Sequence, residues 1–316
     1  MRALRAAVIG VGHLGQHHAA KYARNLGAEL VGVVDVDPAR RDAVAGELGV
    51  RGFHHYRDLL GMVDCVSIAV PTPLHFPIAR DCLANGVDVL VEKPLSTTVE
   101  EGKGLLEFAA HHRQILQVGH LERFNPAIRH IREKVCNPRF IECHRLAPFG
   151  ERGTDVDVVL DLMIHDLDII LSLVPSRVRA VEAVGIPVLT TNVDIANARV
   201  RFANGCIANL TSSRVSSKRE RKIRIFQANA YIAADYDQCQ VRVCRRLENG
   251  SDGPTLSMEE EHVDEGDALA DQIDAFLEAV ARRREPEVTG WDGLRALEVA
   301  QTIIESMETE VRAAAP

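Results

Sequence analysis

The chain has 316 residues, of which 46% are hydrophobic and 26% charged, and a formal net charge of -8. That is ordinary globular composition, long enough for one large or two ordinary domains with an ample core, and its sign argues against nucleic-acid binding. No apolar run reaches the roughly 18 to 20 residues of a membrane span, and Met1 leads straight into a strand pattern, so the expected address is cytoplasmic.

Seven cysteines, at 65, 82, 136, 143, 206, 239 and 244, include no CxxC pair. Scattered reduced thiols fit better than a disulfide framework or a zinc site, and no structural metal is expected. The adjacent pairs His17-His18, His54-His55 and His111-His112 point apart on a helix or a strand and read as surface residues.

Leu4 to Ile9 is a short apolar run. Gly10-Val11-Gly12-His13-Leu14-Gly15 follows at once, then a helical pattern through Lys21 and Tyr22. The next strand, Leu30 to Val34, ends in Asp35. A GxGxxG motif alone is only a glycine-rich turn; between a strand and a helix, with an acid ending the second strand, it reads as a dinucleotide site. Gly10 permits the tight turn, Gly12 lets the backbone approach a pyrophosphate, and Gly15 allows close helix-strand packing, with His13 and Leu14 completing the loop. Asp35 accepts hydrogen bonds from both ribose hydroxyls and repels a 2′-phosphate, so the expected cofactor is NAD rather than NADP. Asp37 reinforces that preference.

Alternation continues with a helix over Arg40 to Leu48, a strand over Asp64 to Val70, a helix over Phe76 to Asn85, a strand over Asp88 to Val91, a helix near Val99 to His111 and a strand over Ile115 to Val118. This pattern predicts a parallel sheet with helices on both faces, whose ligands gather at the carboxyl ends of the strands. Two such ends carry Pro71-Thr72-Pro73-Leu74-His75 and Glu92-Lys93-Pro94, which assigns Thr72, Pro73, His75, Glu92 and Lys93 to the cofactor. Lys93 has two readings: a solvated lysine paired with Glu92, or a group that holds a substrate hydroxyl and stabilises alkoxide charge.

Arg123 to Val135 reads as a helix with Asn125 as its cap and Pro126 in first position. Arg123 and Arg145 are either surface ion pairs or ligands for a phosphate or sugar. The stretch DVVLDLMIHDLD, Asp157 to Asp168, placed on a helix, puts Asp157, Asp161, His165 and Asp168 on one face of an otherwise apolar cylinder. A buried acid-histidine stripe is costly unless it is paired or lines a cavity, which makes it a candidate active-site wall. Strands at Arg179 to Val184, Asp194 to Phe202, Cys206 to Ser213, Lys222 to Gln227, Tyr231 to Asp235 and Gln240 to Arg245 predict an antiparallel sheet. The cations between Arg214 and Arg224 read either as a solvated strand end or as contacts to a nucleotide diphosphate. Acidic Leu247 to Glu265 reads as an exposed excursion, and two amphipathic helices, about Ala268 to Arg283 and Gly293 to Arg312, finish the chain.

With GVGHLG, EKP and the Asp161, His165, Asp168 set in this order, the chain resembles the Gfo/Idh/MocA oxidoreductases over essentially its whole length. The resemblance implies an NAD-binding Rossmann domain, residues 1–120, then an α+β substrate-binding and oligomerisation domain, 121–316, with an open, mainly antiparallel sheet. It also implies that Lys93 works with Asp161 and His165. More narrowly, Gly119 to Pro126, His144 to Phe149 and Thr154 to Ile169 are similar to the bacterial UDP-N-acetylglucosamine 3-dehydrogenases. That subgroup implies NAD-dependent oxidation of the sugar 3-hydroxyl, coupled to an aminotransferase in diamino-sugar lipid A biosynthesis. On this reading His165 is the general base, Asp161 orients it, and Lys93 positions the reacting oxygen or is itself the base. Arg123, Asn125, Arg145 and Asp168 contact the substrate. The alternatives are a dehydrogenase of a free cyclitol or monosaccharide, and a non-catalytic NAD-binding regulator. An open sheet with one uncovered face is expected to expose a large apolar patch and to form a homodimer or homotetramer.

Overall fold

Six short strands build the first sheet: β1 (Leu4–Ile9), β2 (Ala28–Val34), β3 (Arg51–Phe53), β4 (Cys65–Ile68), β5 (Asp88–Glu92) and β6 (Leu116–Gly119). All pair in parallel, in the order β3-β2-β1-β4-β5-β6. The order reverses between β1 and β4, the switch point at which doubly wound sheets take ligands. β5 is buried along its whole length, as expected of a strand covered on both faces. Helices α1 (Gly15–Arg24), α2 (Pro38–Leu48), α3 (His75–Ala84) and α4 (Val99–His112) make the crossovers. α2 starts where it does because the Asp37 carboxylate accepts the Ala39 and Arg40 N–H groups and Pro38 fills the first position.

The structure, a computed structural model, describes residues 2–150, 153, 156–248 and 254–313. They form two compact units: the chain up to Leu121 with Asp267–Leu294, and Glu122–Gly266 with the chain from Arg295 onward. The sequence assigns Asp267–Leu294 to the second domain, yet it packs in the first. From α7 (Ala268–Arg282), Ile273, Phe276, Leu277 and Val280 join Val8, Tyr22, Val33 and Leu90 in one core. Amphipathic periodicity says that a face is buried, not which core buries it.

The second unit holds an eight-stranded sheet made of β7 (Phe140–Leu146), β8 (Val178–Ile186), β9 (Ile195–Phe202), β10 (Ile207–Ser213), β11 (Glu220–Gln227), β12 (Ala230–Asp235), β13 (Gln240–Glu248) and β14 (Pro254–His262). The order is β14-β13-β12-β11-β7-β10-β9-β8, and only β7 and β10 pair in parallel. One face packs Ile141, Leu210, Ile223 and Val243 against Val159, Met163 and Ile170 and against Ala300 and Ile303 of α8 (Gly290–Ala313).

Two expectations are corrected here. The helix expected over Arg123 to Val135 is a 3-10 turn, Leu121–Phe124, followed by α5 (Pro126–Arg132), because the extended Asn125 (ψ 128°) precedes a proline that disfavours helical backbone before it. The acidic excursion contains β14, whose polar side chains leave its backbone free to pair while its charges protect a sheet edge. On the outer sheet face the ion pairs Arg224–Glu142 (3.1 Å) and Arg242–Glu260 (2.8 Å) lie together in one cross-strand row, on one side of an apolar row that runs through Phe140, Phe226 and Tyr231, ring centroids 5.6 and 4.9 Å apart, to the exposed Met258.

Candidate functional site

The glycine loop of the first unit shows three different constraints. A Cβ on Gly10 (φ 85°) would lie 2.6 Å from the Ala69 carbonyl oxygen, and one on Gly15 would lie 1.8 Å from that of Gly10. These two positions must be glycine for the turn to close. Gly12 instead faces open space, its nearest neighbour being Arg40 Nη1 at 3.7 Å from a built Cβ. His13 is exposed and Leu14 half-buried. The loop edges a cleft of about 670 Å³ whose lining includes Gly10, Gly12, Asp35, Arg40, Tyr56 and Leu74.

Asp35 is pinned in that cleft: its carboxylate accepts the Val11 N–H at 3.0 Å and the Asp37 N–H at 2.9 Å. A bare glycine backbone beside a fixed carboxylate at the end of β2 fits the diphosphate and ribose of a dinucleotide. Thr72, half-buried, and Pro73, exposed, lie in the 3-10 turn Thr72–Leu74, and Leu74 of that turn lines the cleft.

His75 is corrected. Only 1% exposed, it places Nε2 2.9 Å from the Val70 carbonyl and Nδ1 2.8 Å from that of Pro94, and burial lowers its pKa. It ties the loops after β4 and β5 together rather than facing a ligand.

Glu92 is also buried, and it belongs to a network that adjacency in sequence conceals. Its Oε1 lies 3.1 Å from His18 Nε2, and its Oε2 lies 3.4 Å from the Lys93 N–H. His18 Nδ1 in turn meets Ser67 Oγ at 3.1 Å, which meets Tyr22 Oη at 2.9 Å. The expectation that His18 is a surface residue is therefore wrong; it is fully buried, whereas His17 is exposed. Gly15, His18, Ala19 and Tyr22 form the buried stripe of α1, and that spacing carried the signal. Lys93 itself is half-buried.

In the second unit the stretch from Asp157 is not a uniform α-helix. Val159–Met163 is a π-helical turn, in which the Ile164 N–H reaches the Val159 carbonyl, and α6 (Ile164–Leu173) follows. Such turns recur at functional sites, and this one breaks the single straight stripe expected from Asp157 to Asp168. Asp157 accepts the Val193 N–H at 2.9 Å. Asp168, 2% exposed, pairs with Arg123 Nε at 3.0 Å. Between these two anchored ends, Asp161 and His165 are half-buried. A Cβ on Gly153 (φ 70°) would lie 2.5 Å from Asp161 Oδ2, so loop backbone rests against that carboxylate. The buried Arg214 donates to the carbonyls of Gly153 and Val156 and holds the loop there.

Arg145 is corrected from substrate ligand to interior strut. Its Nε and Nη2 grip the Asp166 carboxylate at 3.1 and 2.9 Å, Nη1 reaches Glu122 at 3.0 Å, and Tyr236 donates to Asp166 at 2.5 Å. Burial opposes the charge of Arg145, but Asp166, Tyr236 and Glu122 outweigh it and raise its pKa. Asn125 is committed to capping the Ala127 N–H at 3.0 Å and to the Tyr236 carbonyl at 3.0 Å. The cations after Arg214 are likewise engaged: Lys218 with Glu220, Arg219 with Asp237, Arg221 with Glu122 and Arg224 with Glu142. Asp166, Glu122 and Tyr236 carry no local sequence signal, since their partners come from distant strands.

Residues 4–120 match the oxidoreductase family pattern described as an NAD-binding Rossmann fold, and residues 151–314 match the C-terminal alpha/beta domain of the same family. The chain belongs to the Gfo/Idh/MocA oxidoreductase family. Its cofactor is NAD, and it is a dehydrogenase of the family's kind, acting on a CH–OH group. It is 39% identical over 307 residues to the UDP-N-acetylglucosamine 3-dehydrogenase of Acidithiobacillus ferrooxidans, covering 96% of this chain and 97% of that one. A solved structure of that enzyme superposes with a TM-score of 0.92 at 38% identity, covering 98% and 99% of the two chains. The inositol 2-dehydrogenase of Rubrobacter xylanophilus is 31% identical over 223 residues, 66% of this chain and 64% of that one. The scyllo-inositol dehydrogenase of Lactobacillus casei, solved with NAD(H) and scyllo-inositol, has a TM-score of 0.83 at 20% identity and shares the fold. Among the described residues no helix is long and apolar enough to cross a membrane.

Proposed function

We propose that this family member oxidises the 3-hydroxyl of UDP-N-acetylglucosamine to the 3-oxo sugar. The observation that carries the reading is the nearly full-length likeness, at 39% identity, to the Acidithiobacillus ferrooxidans enzyme of that activity. When bound, NAD supplies the hydride acceptor. His165 takes the hydroxyl proton as the carbon gives up its hydride, Asp161 orients the imidazole, and Lys93 holds the oxygen and stabilises its developing negative charge. The π turn and the Gly153 backbone against Asp161 support a fixed setting for this acid beside the helix that carries His165.

A 3-oxo sugar is a ketone, the kind of substrate that an aminotransferase needs, and with the subgroup resemblance this supports a step before transamination in diamino-sugar lipid A synthesis. A cytoplasmic address and a homodimer or homotetramer through the outer sheet face complete the proposal. Its apolar row of Phe140, Phe226 and Tyr231, with exposed Met258 continuing it, suits a self-complementary contact.

Turnover with NAD across UDP-N-acetylglucosamine, other UDP-sugars and myo-inositol tests this reading, with product drained by a coupled aminotransferase. UDP-N-acetylglucosamine should give the highest kcat/KM. A preference for the free cyclitol would favour the second reading, which the likeness to inositol 2-dehydrogenases supports. His165→Ala should lower kcat by about 100-fold to 10,000-fold; unchanged turnover would transfer the base role to Lys93.

A further inference from the structure

We propose that His18 is a positioning residue for the reaction: a one-way chain of hydrogen bonds, from Tyr22 through Ser67 and His18 to Glu92, fixes the carboxylate on which the Lys93 backbone is set. The inference rests on the reading of Lys93 as the group that holds the reacting oxygen, and it is independent of which sugar is oxidised.

The four side chains come from α1, β4 and β5 of the first unit, and all are buried. Buried donors need acceptors, and that requirement sets the direction of the chain. A carboxylate only accepts, so His18 Nε2, 3.1 Å from Glu92 Oε1, carries the imidazole hydrogen. Burial holds the Tyr22 phenol well above its ordinary pKa, so it keeps its proton and donates to Ser67 Oγ at 2.9 Å. The Ser67 hydroxyl then gives its single hydrogen to His18 Nδ1 at 3.1 Å. Each donor is used once, and the accepting Nδ1 fixes the tautomer. A serine, a histidine and a glutamate in a row have the composition of a nucleophile set, but Ser67 lies inside β4 and is 0% exposed, so no substrate meets its oxygen.

At its far end the chain reaches Lys93. Glu92 is the last residue of β5, and its Oε2 lies 3.4 Å from the Lys93 N–H. Glu92 pairs with Gly119 of β6, where a Cβ would stand 2.5 Å from Oε1 and 2.9 Å from Oε2, so strand backbone closes one side of the carboxylate. His18 on one oxygen, the Lys93 amide on the other and Gly119 alongside hold Glu92 in one setting. An apolar group in place of the imidazole strands a buried charge, which turns and draws the Lys93 amide with it. An error of about 1 Å in a group that positions a reacting atom costs on the order of 100-fold. Lys93 meets the oxygen as its charge develops, so the loss belongs to kcat more than to affinity.

The test is steady-state turnover with NAD, on whichever sugar the parent enzyme oxidises best, with NADH titration by nicotinamide fluorescence and thermal melting alongside. The variants are His18→Leu, His18→Gln, Lys93→Ala and His18→Leu/Lys93→Ala. His18→Leu should lower kcat about 100-fold while the NADH Kd and the sugar KM move less than about threefold. His18→Gln, whose amide N–H can still donate to Glu92, should recover at least about tenfold of that loss. With Lys93→Ala already present, the leucine should cost less than about threefold more, since the group it misplaces is gone. If His18→Leu fails to fold, Glu92→Gln takes its place in the same cycle, because an amide turns a donor toward one of the two N–H groups that the carboxylate accepts. Parent-like turnover in Lys93→Ala would refute the reading of Lys93, and this inference with it. With Lys93→Ala impaired, the inference alone is overturned by a His18→Leu enzyme that keeps its kcat, by a leucine loss that multiplies in full with that of Lys93→Ala, or by a glutamine variant as slow as the leucine one.

Discussion

Arg145→Met separates an interior strut from a substrate ligand. The guanidinium is 3% exposed, and it neutralises Asp166 and Glu122, which are themselves 0% and 7% exposed. Methionine keeps most of the volume, so the cavity contribution is small and the loss is electrostatic. Glu122 retains Arg221 at 3.1 Å and Asp166 retains the Tyr236 hydroxyl, so one buried charge is stranded rather than two. Breaking a buried pair from one side costs about 3–5 kcal/mol. At about 2–4 °C per kcal/mol for a unit of this size, the melting temperature should fall by on the order of 10 °C. Thermal melting followed by circular dichroism reads the shift, and Arg145→Met/Asp166→Asn should recover part of it by discharging the stranded acid. A melting temperature unchanged within about 2 °C, together with a KM for the sugar raised tenfold, would return Arg145 to the substrate and refute the assignment.

Gly119→Ala should disturb the bed of Lys93 from behind. Its new Cβ would stand 2.5 Å from Glu92 Oε1, the oxygen beside His18, so the variant should lose about 1–3 kcal/mol in urea unfolding and lose turnover with it; parent-like values of both would mean that the carboxylate moves aside freely. Acid should weaken the fold in a defined window. Asp81 is held down to about 2 by Arg57, against burial and with help from Tyr56 and Arg80. At Asp194 burial pushes upward, yet the N–H groups of Thr190, Leu189 and Val188 bring it to about 2. Both folded values lie below the ordinary 3.8, so the unfolded chain takes up the protons first. Their stabilisation is therefore complete above about pH 4 and is lost as pH falls toward about 2. Asp81→Asn and Asp194→Asn should each flatten that part of the stability curve, and an acid limb indifferent to both would contradict the pairing.

What the sequence could and could not convey follows from the range of each constraint. Gly10 and Gly15 are legible because the clash that forbids a side chain involves backbone a few residues away or in the next strand, and only one residue type answers it. Asp35 is legible because the end of β2 is fixed by the same unit. Arg145 is not, because its grip on Asp166 and Glu122 depends on how β7, α6 and the turn after β6 come together, and a lone arginine in a strand looks the same whether it faces a ligand or an acid. The π turn is illegible for a related reason: its apolar residues satisfy helical periodicity, and the extra residue in the ladder is a tertiary accommodation. His18 is different, since the stripe of Gly15, Ala19 and Tyr22 is readable in the sequence and only the adjacent, exposed His17 disguises it.

The same distinction sharpens the roles of the acids near His165. An acid on a buried helix has to be paired, and this segment pairs several of its acids one by one: Asp157 with the Val193 N–H, Asp166 with Arg145, Asp168 with Arg123. Each of those bonds helps fix the helix. Asp161 is half-buried, four residues before the half-buried His165, with the loop backbone at Gly153 resting against its carboxylate. Helical spacing alone ranks four residues equally. Once Asp157 and Asp168 are assigned to holding the two ends of the segment, Asp161 and His165 stand between them, and those two are the pair that the family resemblance assigns to proton transfer.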